Sequence, residues 1–300
     1  RREKKGYLPI KFDLILTPTS RFTIISALKL KRLLWIPLIS TLHVNEEELQ
    51  NIDSFKLPWS DIILKYDHIT KSESDYVIAK NSNIYKIIKP INKNVLEVYN
   101  DITVNKRFIY NTERKNSVLY VWRLSFEKGI DRLYKIANGL SKLNINIHIC
   151  GKTLGLDPIV NDIFSKITNL PNVVYHWHVD KKSLYKIMNQ SKIIILPSRT
   201  EVFNQAILEG GYYWCIPIST NVWSATTCIF TNKNIIDWEN DTKIISRFLE
   251  RIILELKDYN ENTWIIMHKK YSKYAQNINK KKKFIFLKKV LHEQKTIQIK

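Results

Sequence analysis

From residue 117 onward, apolar positions alternate between short continuous runs and stripes at helical spacing. The runs at 117–122, 145–150, 172–176, 192–196 and 216–220 are rich in Ile, Val and Leu. That is the pattern of strands covered on both faces. Between the first two runs, residues 128–142 place Ile130, Leu133, Ile136, Ala137 and Leu140 on one side of a helix. Shorter stripes at 156–167, 181–189 and 203–213, and a longer one at 241–256, predict four more helices. Strands and helices alternating in this way predict an α/β fold with a parallel, doubly wound sheet. Ligands of such sheets bind beyond the carboxyl ends of the strands.

Before residue 117 the pattern is more broken. Strands are predicted at 12–16, 34–42 (interrupted by Pro37), 61–64, 76–79 and 95–99, with helices at 21–34 and 66–73. The polar, basic stretch 103–116 reads as a linker between domains.

One junction combines these elements with chemistry. The run Ile193-Ile194-Ile195-Leu196 enters Pro197-Ser198 and a polar turn, after which a helix begins. Glu201 and Glu209 bracket that turn and the helix start. A strand feeding a helix N-terminus is suited to holding a phosphate, because the first amide N–H groups are unpaired and the dipole favours negative charge. Two helical carboxylates eight positions apart would lie about 12 Å apart along the axis and about 80° around it. Glu201 falls in the turn itself, so that distance is only a guide.

Composition widens the list of partners and then narrows it. The net charge of +20 favours phosphate, nucleic acid or an anionic membrane, although heavy use of Lys, Asn and Ile throughout the chain also accounts for it. No zinc pattern, RNA-binding aromatic signature or recognition-helix motif accompanies the charge, so nucleic acid is not the expected partner. Cys150, Cys215 and Cys228 have no disulfide or metal spacing and read as reduced core thiols, which fits a cytoplasmic location. No apolar run approaches the roughly 18 residues of a membrane span. The chain opens RREKKGYLPI, without a secretory hydrophobic region and without Met, and is expected to be a fragment or processed product. Residues 280–300 hold eight Lys and one Glu, a basic arm that could touch an anionic membrane surface. His176 and His178 form a His-x-His pair with no evident third ligand, so a loop role is expected rather than a metal site.

Four segments follow one another along the chain: Val121-Trp122-Arg123-Leu124 with Glu127-Lys128-Gly129; Ile149-Cys150-Gly151; Leu196-Pro197-Ser198 with Glu201-Val202-Phe203 and Glu209; and Cys215-Ile216-Pro217-Ile218. Taken in this order they resemble the family 4 glycosyltransferases. Phe12-Asp13-Leu14-Ile15, Thr41-Leu42-His43 and Tyr99-Asn100-Asp101 resemble the later part of the same family's N-terminal domain. The resemblance implies the GT-B fold, two Rossmann-like doubly wound domains, with the N-terminal one incomplete. Residues 1–113 would be a partial acceptor-side domain, 114–256 the donor-binding domain, and 257–300 a C-terminal helix and basic tail. The family's first strand and Gly-rich loop have no counterpart, so the chain is expected to start inside the N-terminal domain.

The resemblance also assigns roles. Arg123 and Lys128 would hold the donor diphosphate, Glu209 the ribose hydroxyls, and Glu201 would face the donor sugar. Backbone N–H groups of Phe203, Asn204 and Gln205 would bond phosphate or sugar. His43 would lie near the anomeric carbon, although a strand-end His without a role fits the sequence equally well. The implied reaction is retaining, metal-independent transfer of a hexose from a nucleotide sugar, a co-substrate rather than a cofactor, to a saccharide or lipid-linked acceptor, as in polysaccharide biosynthesis. A lipid-linked acceptor would place the protein at the inner membrane face. Three departures stand against this. Trp122 and Asn204 occupy positions where the family has Gly, and Gly210 one where it has Ala. With the missing loop, they keep open a decayed GT-B protein that binds nucleotide or sugar without transfer.

Overall fold

A computed structural model describes residues 12–18, 23–42, 60–100, 102, 104, 113–153, 155, 157–201, 203–222, 225–229, 231–260, 265, 268–273, 285, 286, 288 and 290. The chain divides into two compact units, one of residues 1–99 with 279–300 and the other of residues 100–278.

The first unit has a parallel sheet of β1 (Ile15–Pro18), β2 (Leu38–Leu42), β3 (Tyr76–Ala79) and β4 (Val95–Glu97), in that order. α1 (Thr23–Leu34) links β1 to β2 and buries Ile24, Ala27 and Leu28. α2 (Ser60–Glu73) precedes β3, and α3 (Ser82–Ile88), capped by the Asn81 side chain on Ile84 N–H at 2.8 Å, precedes β4. Residues 61–64, expected as a strand, are the first turn of α2. Ile62-Ile63-Leu64 is too short a run to fix its own state. The buried positions Ile63, Asp67, Thr70, Lys71 and Ser74 recur at helical spacing and settle it. From the distal segment, Phe286 packs edge-on against Tyr76 at 5.6 Å and Val290 is buried beside Ile39, Ile78 and Val98.

Among the described residues the second unit has six parallel strands, β5 (Lys115–Val121), β6 (Asn146–Cys150), β7 (Val173–Tyr175), β8 (Ser191–Leu196), β9 (Ile216–Thr220) and β10 (Ile235–Ile236). They lie in the order β10-β9-β8-β5-β6-β7. The connecting helices are α4 (Ile130–Ser141), α5 (Pro158–Thr168), α6 (Lys181–Gln190), α7 (Gln205–Tyr212) and the short α8 (Ala225–Cys228), and α9 (Asp241–Lys257) follows β10. Asp157, Asp180, Asn204 and Asn240 accept backbone N–H groups at the starts of α5, α6, α7 and α9, the reason those helices begin where they do. The apolar stripe of α4 predicted from spacing is fully buried against Val118, Ile147, Ile193 and Phe248.

Chain order runs outward from β5 through β6 to β7, then restarts at β8 and runs the other way. The reversal lies between β5 and β8, which pair in register through Val118↔Ile193 and Tyr120↔Ile195. In open parallel sheets ligands bind outside the carboxyl ends of the strands at such a reversal. All three cysteines are free and buried, and burial raises the Cys150 thiol to about 12 and the Cys215 thiol to about 11.

Candidate active site

The loops leaving β5 and β8 meet at this reversal. After β5 the chain passes through Trp122 and Arg123 into a 3-10 turn, Phe126–Lys128, and Gly129. Gly129 has φ 73°, and a Cβ on it would lie 2.2 Å from the Pro197 carbonyl oxygen. Only glycine serves where both the left-handed backbone and the close approach are required. Arg199 N–H donates to the Glu127 carbonyl at 2.9 Å, and the Arg199 guanidinium donates to the Phe126 carbonyl at 2.9 Å. The two loops are thereby held as one surface. Gly151, just after β6, packs so closely that a Cβ would lie 1.8 Å from the Trp122 carbonyl oxygen.

Lys128 and Glu201 come together here, 73 positions apart in sequence and 3.0 Å apart at Nζ and Oε1. Both are buried, at 5% exposure each. Lys128 Nζ also lies 3.1 Å from Glu127 Oε1, donates to the Thr200 carbonyl at 3.2 Å and sits 5.4 Å from the centre of the Trp122 ring. Burial raises the Glu201 carboxyl above the usual carboxylate range, with the Lys128 charge opposing it. Arg123 is half-exposed and donates to Glu127 Oε1 at 3.1 Å. The two cations singled out by sequence are thus joined through Glu127, a residue assigned no role in advance.

Glu209 lies in α7 with its carboxylate 4% exposed, and Lys181 Nζ reaches its two oxygens at 2.7 and 3.0 Å. Burial raises the Glu209 carboxyl, and the Lys181 hydrogen bond and charge oppose that. Lys181 opens α6 and belonged to no motif. Asn204 is the N-cap of α7 at φ −95°, its Oδ1 accepting from Ile207 N–H at 2.8 Å. The backbone of Asn204 is extended, not left-handed, although the family that the sequence resembles has Gly at this position. Asn204 works here because its side chain caps the helix. Phe203 and Asn204 are buried, and Gln205 is the first residue of α7. Trp122 Nε1, Ser125 Oγ, Ser198 Oγ and Asn204 Nδ2 are buried without a hydrogen-bond partner among the described residues. His43 lies outside the described residues.

His176 stacks on His148, with ring nitrogens 2.9 Å apart. Burial lowers His148 to about 4. No group of three metal-ligating side chains occurs among the described residues. Nor is any described helix long and apolar enough to cross a membrane.

Residues 102–278 match the model of a family described as Glycosyl transferases group 1. A curated relative, an uncharacterized 41.2 kDa protein in the cps region of Klebsiella pneumoniae, is 26% identical over 203 residues, covering 62% of this chain and 55% of that protein. Sucrose-phosphate synthase from Thermosynechococcus elongatus superposes with a TM-score of 0.69 at 15% identity, covering 96% of this chain and 73% of that one. A variant of S. aureus TarM in complex with Fondaparinux, alpha-GlcNAc-glycerol and UDP superposes with a TM-score of 0.64 at 15% identity, covering 85% and 51%. At these identities the structural likeness shows the fold alone, the α/β architecture with parallel sheets of GT-B proteins. The chain spans about half the length of the Klebsiella and TarM proteins.

Proposed function

The chain belongs to the glycosyl transferases group 1 family, and from that premise we propose that it moves a hexose from a nucleotide-sugar donor to a saccharide or lipid-linked acceptor. The observation that carries the proposal is the meeting of Lys128 and Glu201 at the β5/β8 reversal, on two loops whose spacing Gly129 and Arg199 fix. Lys128 and Arg123 meet the donor diphosphate. As the glycosidic bond breaks toward an oxocarbenium-like state, negative charge grows on the leaving diphosphate, and preorganised cations stabilise it. The α7 N-terminus adds its dipole and the backbone N–H groups of Phe203, Asn204 and Gln205. In this reading the cations and the dipole do the work of a metal ion.

Glu209 accepts from the ribose hydroxyls and Glu201 faces the donor sugar. Buried polar atoms at Trp122, Ser125, Ser198 and Asn204 await partners that a sugar or phosphate supplies. The acceptor hydroxyl bonds to the anomeric carbon, its proton passes to a donor phosphate oxygen, and nucleoside diphosphate leaves from the same face, so configuration is retained. His43 stands on the acceptor side in this scheme. The Klebsiella relative's cps region supports polysaccharide biosynthesis as the setting. A lipid-linked acceptor would bring the protein to the inner membrane face, with the basic tail against anionic lipid.

A second reading, a GT-B protein that binds donor without transfer, is favoured by Trp122, whose ring lies beneath Lys128 where the family has Gly. Incubation with UDP-, GDP- and ADP-sugars together with a panel of saccharide and lipid-linked acceptors, followed by assay of released nucleoside diphosphate, tests both. The transferase reading expects release with one donor, lost in Glu209→Ala and reduced at least about tenfold in Arg123→Ala, a loss of about 1.4 kcal/mol in transition-state stabilisation. Donor binding without release establishes the second reading.

A further inference from the structure

We propose that Lys181 is a positioning residue for the donor, keeping the buried Glu209 carboxylate ionised and hence able to accept from the ribose. The inference rests on the donor-site reading above and goes beyond it, since none of the segments that carry the family resemblance contains Lys181. The two residues lie 28 positions apart and are joined by the β8 crossover. The Lys181 side chain is 62% exposed while the carboxylate it covers is 4% exposed. An ionised carboxylate is an acceptor only, with about four lone-pair sites. Lys181 uses two, so acceptor capacity remains for a diol. A protonated carboxyl would present a donor to one hydroxyl and lose that complementarity.

The charged surroundings leave this role to Lys181. From α6, Lys181 and Tyr185 face Glu209, and Tyr185 is raised by burial and by the Glu209 charge. Beneath α7, β9 has no ionisable residue and β8 has only Lys192, whose Nζ is taken by Asn116 and lies over the Tyr259 ring. Burial already raises the Glu209 carboxyl, and Lys181 opposes it. Removing the ammonium therefore moves Glu209 further up, and its protonated fraction grows as pH falls.

The test is calorimetric titration of UDP, GDP and ADP into the unsubstituted chain, Lys181→Met and Lys181→Arg across pH. The Met variant keeps the aliphatic stem, and its folding is checked by circular dichroism at each pH. Relative to the unsubstituted chain, the affinity of Lys181→Met is expected to fall by a further factor of about ten between about pH 8 and about pH 6. Lys181→Arg should restore the profile of the unsubstituted chain. In Glu209→Gln/Lys181→Met the extra pH dependence should vanish. A pH-independent difference between Lys181→Met and the unsubstituted chain overturns the proposal while leaving the donor site standing. Failure of the unsubstituted chain to bind any of the three nucleotides overturns the donor-site reading and this one with it.

Discussion

Trp35 closes α1 with φ 54° and 88% exposure, an aromatic residue in the left-handed position where helices favour glycine. Trp177 and Trp214 share the left-handed backbone, at φ 53° and 64°. A side chain with a Cβ costs about 1–2 kcal/mol in this conformation. Trp35 recovers little of that through packing. Trp35→Gly is expected to stabilise the protein by about 0.5–1 kcal/mol, the left-handed penalty less the added chain entropy of glycine. A shift of the urea midpoint to higher concentration at unchanged slope would bear this out, and a lower midpoint would show that Trp35 packs more than its exposure indicates.

The candidate site residues were marked in the sequence where they sat in contiguous motifs. Arg123, Lys128, Glu201 and Glu209 were each marked by neighbours along the chain. Lys181 and the buried form of the Lys128–Glu201 contact were not, because each partnership is made by a crossover and depends on which strand lies beside which.

At the level of elements, a four-residue ionic chain ties the site to its scaffold. Arg199 pairs with Asp131 at 2.7 Å in the first turn of α4 and with Asp241 at 2.9 Å in the first turn of α9, and Arg132, 2% exposed, pairs with Asp241. Burial raises the Asp131 carboxyl, but the Arg199 hydrogen bonds and charge outweigh it, and the net position is below the usual range. A carboxyl depressed in the folded state contributes stability above its unfolded pKa, and that stability is lost as pH falls through the folded value. Arg199→Met is therefore expected to cost about 2 kcal/mol at neutral pH and progressively less as pH falls below about 4. Thermal melts of both proteins across acidic pH measure it. A deficit that stays constant through that range would rule out the Asp131 pairing as its source. The helix α2 shows the complementary point about legibility. Its first turn reads locally as a strand, and only the longer spacing of its buried polar positions, Asp67, Thr70 and Lys71, shows the helix. Patterns built on apolar residues miss a face buried through paired charges, such as Lys71 with Asp67 at 2.5 Å.

For the whole molecule, every described residue assigned to the donor falls in the unit of residues 100–278, and the family match covers residues 102–278. The net charge of +20 is not concentrated at this site. There Lys128, Arg123 and Lys181 stand against Glu127, Glu201 and Glu209, in formal balance when all are ionised. Donor affinity should therefore owe more to fixed geometry than to long-range attraction. Its dependence on salt should be shallow, whereas non-specific nucleic-acid binding by a basic chain weakens steeply with salt.

The most direct measurement is a thermal-shift titration of the unsubstituted chain and Glu209→Ala with UDP-, GDP- and ADP-sugars. At about 100 times its dissociation constant, a true donor adds about 2.7 kcal/mol of stability. The account predicts a rise of several degrees with one nucleotide class and none with that class in Glu209→Ala. An unchanged melting temperature with all three classes, or an equal rise in the variant, would contradict the assignment of these loops as a donor site.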